Sequence, residues 1–260
     1  MKILAVANQK GGVGKSTLTV HLGYAAEEAG LRVLLVDMDR QGSLSHTFAA
    51  VNGNVPGFTA SSLFGSGTPA PTDPERLSDT LSIIRSDEIL SSLSGGNKEA
   101  LKRPAKHLRS LASKFDVCLI DTPGVIGLNP PMTMAALVAA DAVVCPFSVG
   151  FYEGKGLADL WNEIKRVKSQ YNPKLNLIGL LPSKVNSKSK EEIEGLEMLR
   201  PQFGQYMLPG MLAERTAVKQ AVMKLKPVWK GVRGAGHKKA AEEWLSATAT
   251  ILAKLGVVKQ

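Results

Sequence analysis

The chain has 260 residues, 44% of them apolar and 21% charged, with a formal net charge of +9. That length holds one large or two small domains around a real core, at the composition of an ordinary soluble globular protein. It excludes a membrane-spanning chain, because no apolar run approaches the roughly 20 residues a spanning helix needs.

In chain order, the opening run MKILAVAN reads as a β-strand, too short for a signal peptide. It leads into NQKGGVGKST, Asn8 to Thr17, and a helix over Ser16 to Ala29 that ends at Gly30. Strand, glycine-rich loop and helix in that order form a phosphate-binding loop. The usual pattern, G-x-x-x-x-G-K-[ST], asks for glycine at position 9; the chain has Gln9 and carries a second lysine, Lys10. Gly11, Gly12 and Gly14 let backbone N–H groups turn inward at an anion, and the helix adds its N-terminal dipole. Lys15 is placed to reach the β- and γ-phosphates, and the Ser16 hydroxyl to ligate Mg²⁺. RVLLVDMD is the next strand; Asp37 and Asp39, two apart, are expected on one face of its end. They suit holding a cation or orienting a water, or are ordinary strand-end turn residues.

A loop-rich stretch covers Asn52 to Pro74, followed by a strand in DTLSIIRS and a basic helix over Lys98 to Lys114. The strand in FDVCLIDTPG ends at Asp121, where parallel sheets carry their ligand groups, so Asp121 is a candidate Mg²⁺ carboxylate or a capping turn residue. Then come a helix over Thr133 to Ala140, strand AVVCPFSV, a helix around Leu157 to Lys168 and strand LNLIGLLPS. The last stretch holds a helix over Lys190 to Leu199, an extended piece at Tyr206 to Leu208, and a terminal helix over Lys238 to Leu255. Its apolar stripe, Trp244, Leu245, Ile251, Leu252 and Leu255, is expected to pack in the core. Strands alternating with helices predict an α/β fold: a doubly wound, mostly parallel sheet with helices on both faces, in one domain over 1–260. Cys118 and Cys145, inside strands, are expected as buried free thiols of a reducing, cytoplasmic compartment.

The charge is not evenly spread. Residues 1–150 balance at thirteen basic and thirteen acidic, so the whole excess lies in about 151–260. Arg215, Lys219, Lys224, Lys226, Lys230, Arg233, Lys238 and Lys239 occupy one stretch without a single acid. Such a stretch is either a solvated face or the footprint of a polyanion.

KGGVGKST with its leading lysine, VDMDRQGS and LIDTPG together resemble the deviant Walker A ATPases of the ParA/MinD superfamily, and TASSLF, AADAVVCPF and LLPSKVN follow in the expected order. The resemblance implies an ATPase with ATP and Mg²⁺ as cofactors, two ATP molecules being held between two subunits. Lys10, Gly11, Gly12, Val13, Gly14, Lys15, Ser16 and Thr17 would surround the phosphates, with Ser183 and Pro209 near the adenine. Lys10 would cross to the partner subunit's nucleotide, which accounts for the second lysine. Asp39 would position the attacking water, and Ser16, Asp37, Asp39 and Asp121 would make up the metal site. The chain departs from the family's partition pattern D-x-D-P-Q-G-N at Arg40 and Ser43, and RTAVKQAVMKLKPVW is longer than the corresponding segment.

Within the superfamily, iron–sulfur reductases need cysteines after LIDTPG, and TPGVIGLNPPM has none. Amide-forming ligases give no reason for a basic C-terminal third. A MinD-like membrane helix should be rich in Lys and Arg, whereas the terminal helix carries Glu242 and Glu243 and few cations after residue 239. The expectation is a partition ATPase, weak alone and stimulated by a centromere-binding, ParB-type partner. It would bind nonspecific double-stranded DNA as an ATP-bound homodimer open to higher-order assembly, without a membrane, in the cytoplasm and on the nucleoid when ATP-bound. A MinD-like positioning ATPase on a membrane or scaffold is the alternative.

Overall fold

The computed structural model describes residues 1–48, 58–66, 73–94, 98–128, 131–150 and 153–259. Its strands are β1 (Lys2–Val6), β2 (Val33–Asp37), β3 (Glu75–Arg76), β4 (Leu81–Ile84), β5 (Val117–Asp121), β6 (Ala142–Phe147), β7 (Asn176–Val185) and β8 (Leu212–Ala213). They form one eight-stranded sheet in the order β3-β4-β2-β5-β1-β6-β7-β8. Every pairing is parallel except that of β3 with β4. The helices are α1 (Lys15–Glu28), α2 (Ser43–Thr47), α3 (Lys98–Ser110), α4 (Met132–Ala139), α5 (Glu153–Gln170), α6 (Lys190–Phe203), α7 (Thr216–Met223) and α8 (Ala235–Leu255). This is the doubly wound α/β fold that the alternating pattern predicts.

Because side chains alternate across a strand, the central strands feed two cores at once. Ile3 and Ala5 of β1 join Leu101 of α3, Met134 of α4 and Leu160 of α5 on one face. Leu4 and Val6 join Leu18 and Leu22 of α1 and Trp244 and Ile251 of α8 on the other. Cys118 and Cys145 are free and buried within the sheet, as expected.

Several boundaries move for identifiable reasons. The helix expected to end at Leu199, ahead of Pro201, continues to Phe203. Proline removes one backbone donor, but Leu196 and Phe203, both buried, hold the last turns onto the core. Tyr206 to Leu208 is extended only at its end: Gly204–Tyr206 is a 3-10 turn, and Met207 makes a single parallel bridge to Leu180. The stretch after Arg215, read from its charge alone, folds into α7, which buries Val218 and Ala221. Of the loop-rich stretch, residues 52–57 and 67–72 lie outside the described residues, and Ala60–Phe64 between them forms a 3-10 turn. The stripe of α8 does pack inward, except Leu245, which is 44% exposed.

Candidate functional site

The site lies where the central strands end together. Val6 of β1 is level with Asp121 of β5, and Asp121 is level with Asp37 of β2. The loop leaving β1 turns through left-handed φ angles at Gly12 and Gly14, and Gly14 caps α1. Asn8 fastens it from inside: its Nδ2 donates to the Pro146 carbonyl at 2.8 Å, and its Oδ1 accepts from Lys10 N at 2.9 Å. Gly124, just after Asp121, lies against this loop; a Cβ there would stand 3.0 Å from Gly11 N. The loop, Asp39, Ser43 and Gly124 line a cavity of about 340 Å³, with Lys15, Ser16 and Thr17 in its wall.

Lys15 is buried and donates from Nζ to the Lys10 carbonyl at 2.9 Å. Burial lowers its pKa, while Asp121 and Asp39 nearby work to keep it charged. Asp121 is wholly buried, and neither carboxylate oxygen has a hydrogen-bond partner among the described residues. Burial first, and then the Asp37 carboxylate, push its pKa up to about 8, against the Ser16 hydroxyl and the Lys15 ammonium. A buried carboxylate with idle oxygens is costly unless a cation satisfies it. Next to a phosphate loop and a serine hydroxyl, this oxygen set fits Mg²⁺, which binds through one or two carboxylates plus substrate phosphates. Consistent with that mode, no cluster of three or more His, Cys, Asp or Glu side chains forms a ready-made cage among the described residues.

Asp37 and Asp39 do not share a strand face, because β2 stops at Asp37 and Asp39 belongs to the outgoing loop. The Asp37 carboxylate is already engaged. Its Oδ2 accepts from Ser45 N at 2.8 Å and Ser45 Oγ at 2.7 Å, and its Oδ1 from Asp39 N at 3.1 Å. It therefore supports the loop carrying Asp39, and of its two oxygens Oδ1 carries the lighter load, one hydrogen bond against two on Oδ2. Asp39 is half-buried on the cavity wall, its Oδ1 accepting from Gln41 N at 3.0 Å. Val13 is buried beneath the loop. Lys10 is exposed at its outer edge.

A second cavity, about 290 Å³ and largely apolar, opens beside Gly14 and Thr17 and is lined by Ser183, Leu212, Val218 and Trp244. It has the character of a base pocket. Ser183, expected near an adenine, lines this cavity, 3.0 Å from the position a Cβ on Gly14 would take. Pro209, also expected near an adenine, is exposed and outside this lining, the wall coming from β8 and α7. Lys184, which lines both cavities in a left-handed conformation, went unnoticed, although LLPSKVN displays it.

Among the described residues, the basic stretch separates into cations with and without an ion-pair partner. Arg215 is locked on Glu243 at 2.5 Å, Lys219 pairs with Glu214 at 2.9 Å, and Lys230 with Glu28 at 2.8 Å. Arg215 is thus ion-paired, and the stretch that holds no acid of its own draws on three from outside it. Lys224, Lys226 and Arg233 converge with Lys188 on a cleft of about 710 Å³ between α7 and the start of α8, whose lining also includes the ion-paired Arg215 and Glu214. Lys238 and Lys239 lie exposed on the first turn of α8. Helix α7 divides this cleft from the base cavity: Val218 and Val222 face the latter, Thr216, Gln220 and Lys224 the former. The loop beyond is tied to α1 by Val228 N, which donates to His21 Nε2 at 3.3 Å, and by Trp229 Nε1, which donates to Glu28 at 2.7 Å.

A family model described as an AAA domain matches residues 1–177. Protein IncC of Escherichia coli is 32% identical over 269 aligned residues, covering 100% of this chain and 71% of that protein. The chromosome partitioning protein ParA of Myxococcus xanthus is 30% identical, covering 78% of this chain and 71% of its own. Among solved structures, cobyrinic acid a,c-diamide synthase of Mycobacterium smegmatis with bound ADP and magnesium aligns at a TM-score of 0.78 and 24% identity. That alignment covers 97% of this chain and 94% of the other, a likeness of fold.

Proposed function

The chain belongs to the ParA-type partition ATPases of the ParA/MinD superfamily, and from that premise we propose that it is an ATP-driven switch for DNA. ATP enters with its phosphates on the loop from Gly11 to Thr17 and its base in the apolar cavity beside Ser183. Lys15 balances the phosphate charge. Ser16 and Asp121 would hold Mg²⁺, which supplies charge neutralisation at the β- and γ-phosphates when bound. Asp39 orients a water whose oxygen forms a bond to the γ-phosphorus as the bond to the bridging oxygen breaks, leaving ADP and phosphate. Lys10, at the exposed edge of the loop, serves the nucleotide of a second copy of the chain, so the complete site forms in an ATP-bound dimer.

The observation that carries the DNA half of this reading is the position of α7. One face touches the base cavity and the other the cleft where Lys188, Lys224, Lys226 and Arg233 gather, so a bound base bears directly on the element that shapes the cationic surface. We assign nonspecific double-stranded DNA to that surface in the ATP state, with release after hydrolysis stimulated by a ParB-type, centromere-binding partner. The place of action is then the cytoplasm, on the nucleoid while ATP is bound. A membrane-seated alternative is disfavoured by α8, whose Trp244, Ile251, Leu252 and Leu255 are buried. Sedimentation with ATP, ADP or neither, alongside phosphate release, tests the switch: a dimer with ATP alone and slow turnover are expected. A monomer in every state would refute it.

A further inference from the structure

Asp39 lies beyond the end of β2, so no strand ladder holds it in place. What holds it comes largely from the neighbouring strand. Just past β4, Ser86 Oγ donates to the Asp39 carbonyl at 2.6 Å, and Ser86 N donates to Ser45 Oγ at 2.9 Å. The same Asp39 carbonyl accepts from Gly42 N at 2.8 Å, while Asp39 N donates to Asp37. Beside Ser86, Arg85 Nη1 donates to the carbonyls of Ser45 at 2.5 Å and Phe48 at 2.7 Å. Its Nε and Nη2 bind Glu75 at 2.6 and 2.7 Å, an ion pair whose side chains are each 13% exposed.

We propose that Ser86 is a positioning residue for ATP hydrolysis, with Arg85 as the bolt that holds the rest of the same loop. The inference rests on the reading of Asp39 as the water-orienting group. Ser86 is not in the lining of the phosphate cavity, and its hydroxyl, the group the test removes, meets the site at the Asp39 carbonyl. Its hydroxyl fixes the Asp39 peptide, and the peptide fixes where the carboxylate can point. Asp39 Oδ1 is occupied by Gln41 N, which leaves Oδ2 as the oxygen to be aimed at a water. Groups of this kind must be held to about 0.5 Å, and misplacement by about 1 Å costs on the order of a hundredfold in rate. Losing one of the two hydrogen bonds to the Asp39 carbonyl leaves the group present but loosely aimed.

The test compares Ser86→Ala, Ser86→Thr and Asp39→Ala with the unaltered chain in single-turnover ATP hydrolysis with Mg²⁺. ATP affinity is measured separately, and thermal melting shows that each variant is folded. The expected result is a rate constant about tenfold lower in Ser86→Ala, with ATP affinity unchanged within about twofold, and recovery of most of the rate in Ser86→Thr. An unchanged rate in Ser86→Ala while Asp39→Ala loses turnover would overturn the role of Ser86 alone. Full turnover in Asp39→Ala would instead remove the reading on which it rests. A loss of rate matched by an equal loss of ATP affinity would make Ser86 a structural residue and also overturn the proposal. Should Ser86→Ala not fold, Ser86→Cys, a weaker donor of similar size, gives the same comparison.

Discussion

Asp121→Asn should make the protein more stable in the absence of nucleotide and metal, while abolishing the stabilisation that ATP and Mg²⁺ confer. The wild-type carboxylate has a folded pKa of about 8 against an ordinary value of 3.8, burial being the main cause. A folded pKa raised in this way contributes stability that is complete below the unfolded value and is lost as pH rises through the folded one. At pH 7 the folded chain keeps Asp121 protonated, at a cost of about 4 kcal/mol relative to an unfolded chain that ionises freely; at pH 5 the cost is about 2 kcal/mol. Asparagine is nearly the same size, carries no titration, and leaves a buried polar group no worse served than the protonated acid it replaces. Urea unfolding in EDTA, of variant and wild type side by side from pH 5 to 8, reads this difference directly. The advantage of the variant should grow with pH up to about pH 8. Saturating ATP and Mg²⁺, at about a hundred times the dissociation constant, should then stabilise wild type by about 3 kcal/mol and leave the variant nearly unmoved. A variant less stable than wild type in EDTA, or an advantage independent of pH, would refute the view of Asp121 as a buried acid that a cation ionises.

Further outcomes follow from the same structure. His21, which donates from Nδ1 to the Thr17 carbonyl and accepts from Val228 N, has its pKa lowered to about 4 by burial. Its contribution is present above pH 6.5 and lost as pH falls toward 4, so relative to His21→Asn the wild type should lose roughly 3 kcal/mol across that window; parallel unfolding curves would contradict this. Lys10→Ala should bind ATP in the monomer nearly as wild type does but lose dimer-dependent hydrolysis, and equal turnover would exclude a role for Lys10 in trans. Among the cations, Lys224→Gln, Lys226→Gln and Arg233→Gln should each lower the salt dependence of DNA binding by about two units of log–log slope, about one for each subunit of the dimer. The paired Lys219 and Lys230, changed to Gln, should do so much less; a uniform effect across all five would undo the distinction between paired and converging charges.

Where local chemistry dictated the structure, the sequence was read correctly. NQKGGVGKST and LIDTPG place their own backbone, so Lys15 and Ser16 line one cavity with the buried Asp121 close enough to feel both. Strand and helix order followed from apolar runs that the parallel sheet buries on both faces. The failures share a different cause, which is dependence on distant partners. Strand alternation could not show that β2 ends at Asp37, because that end is set by the turn into α2 and by Ser45 closing on the carboxylate. The cavity wall at β8 gave no periodic signal, because β8 is only two residues long. That Arg215 is ion-paired could not be read from its stretch, because Glu243, its partner, lies 28 residues away in sequence. Ser86 had no signal at all, since its role is a single hydroxyl contact with another loop.

The measurement that tests the central claim most directly is binding to a random-sequence DNA duplex with ATP, ADP or no nucleotide, at two or more salt concentrations. Binding in the ATP state alone is predicted, with a log–log salt slope near −5 if the dimer engages about six phosphates. Equal binding in all three states, or none in any, would contradict a switch in which the nucleotide site governs the cationic cleft.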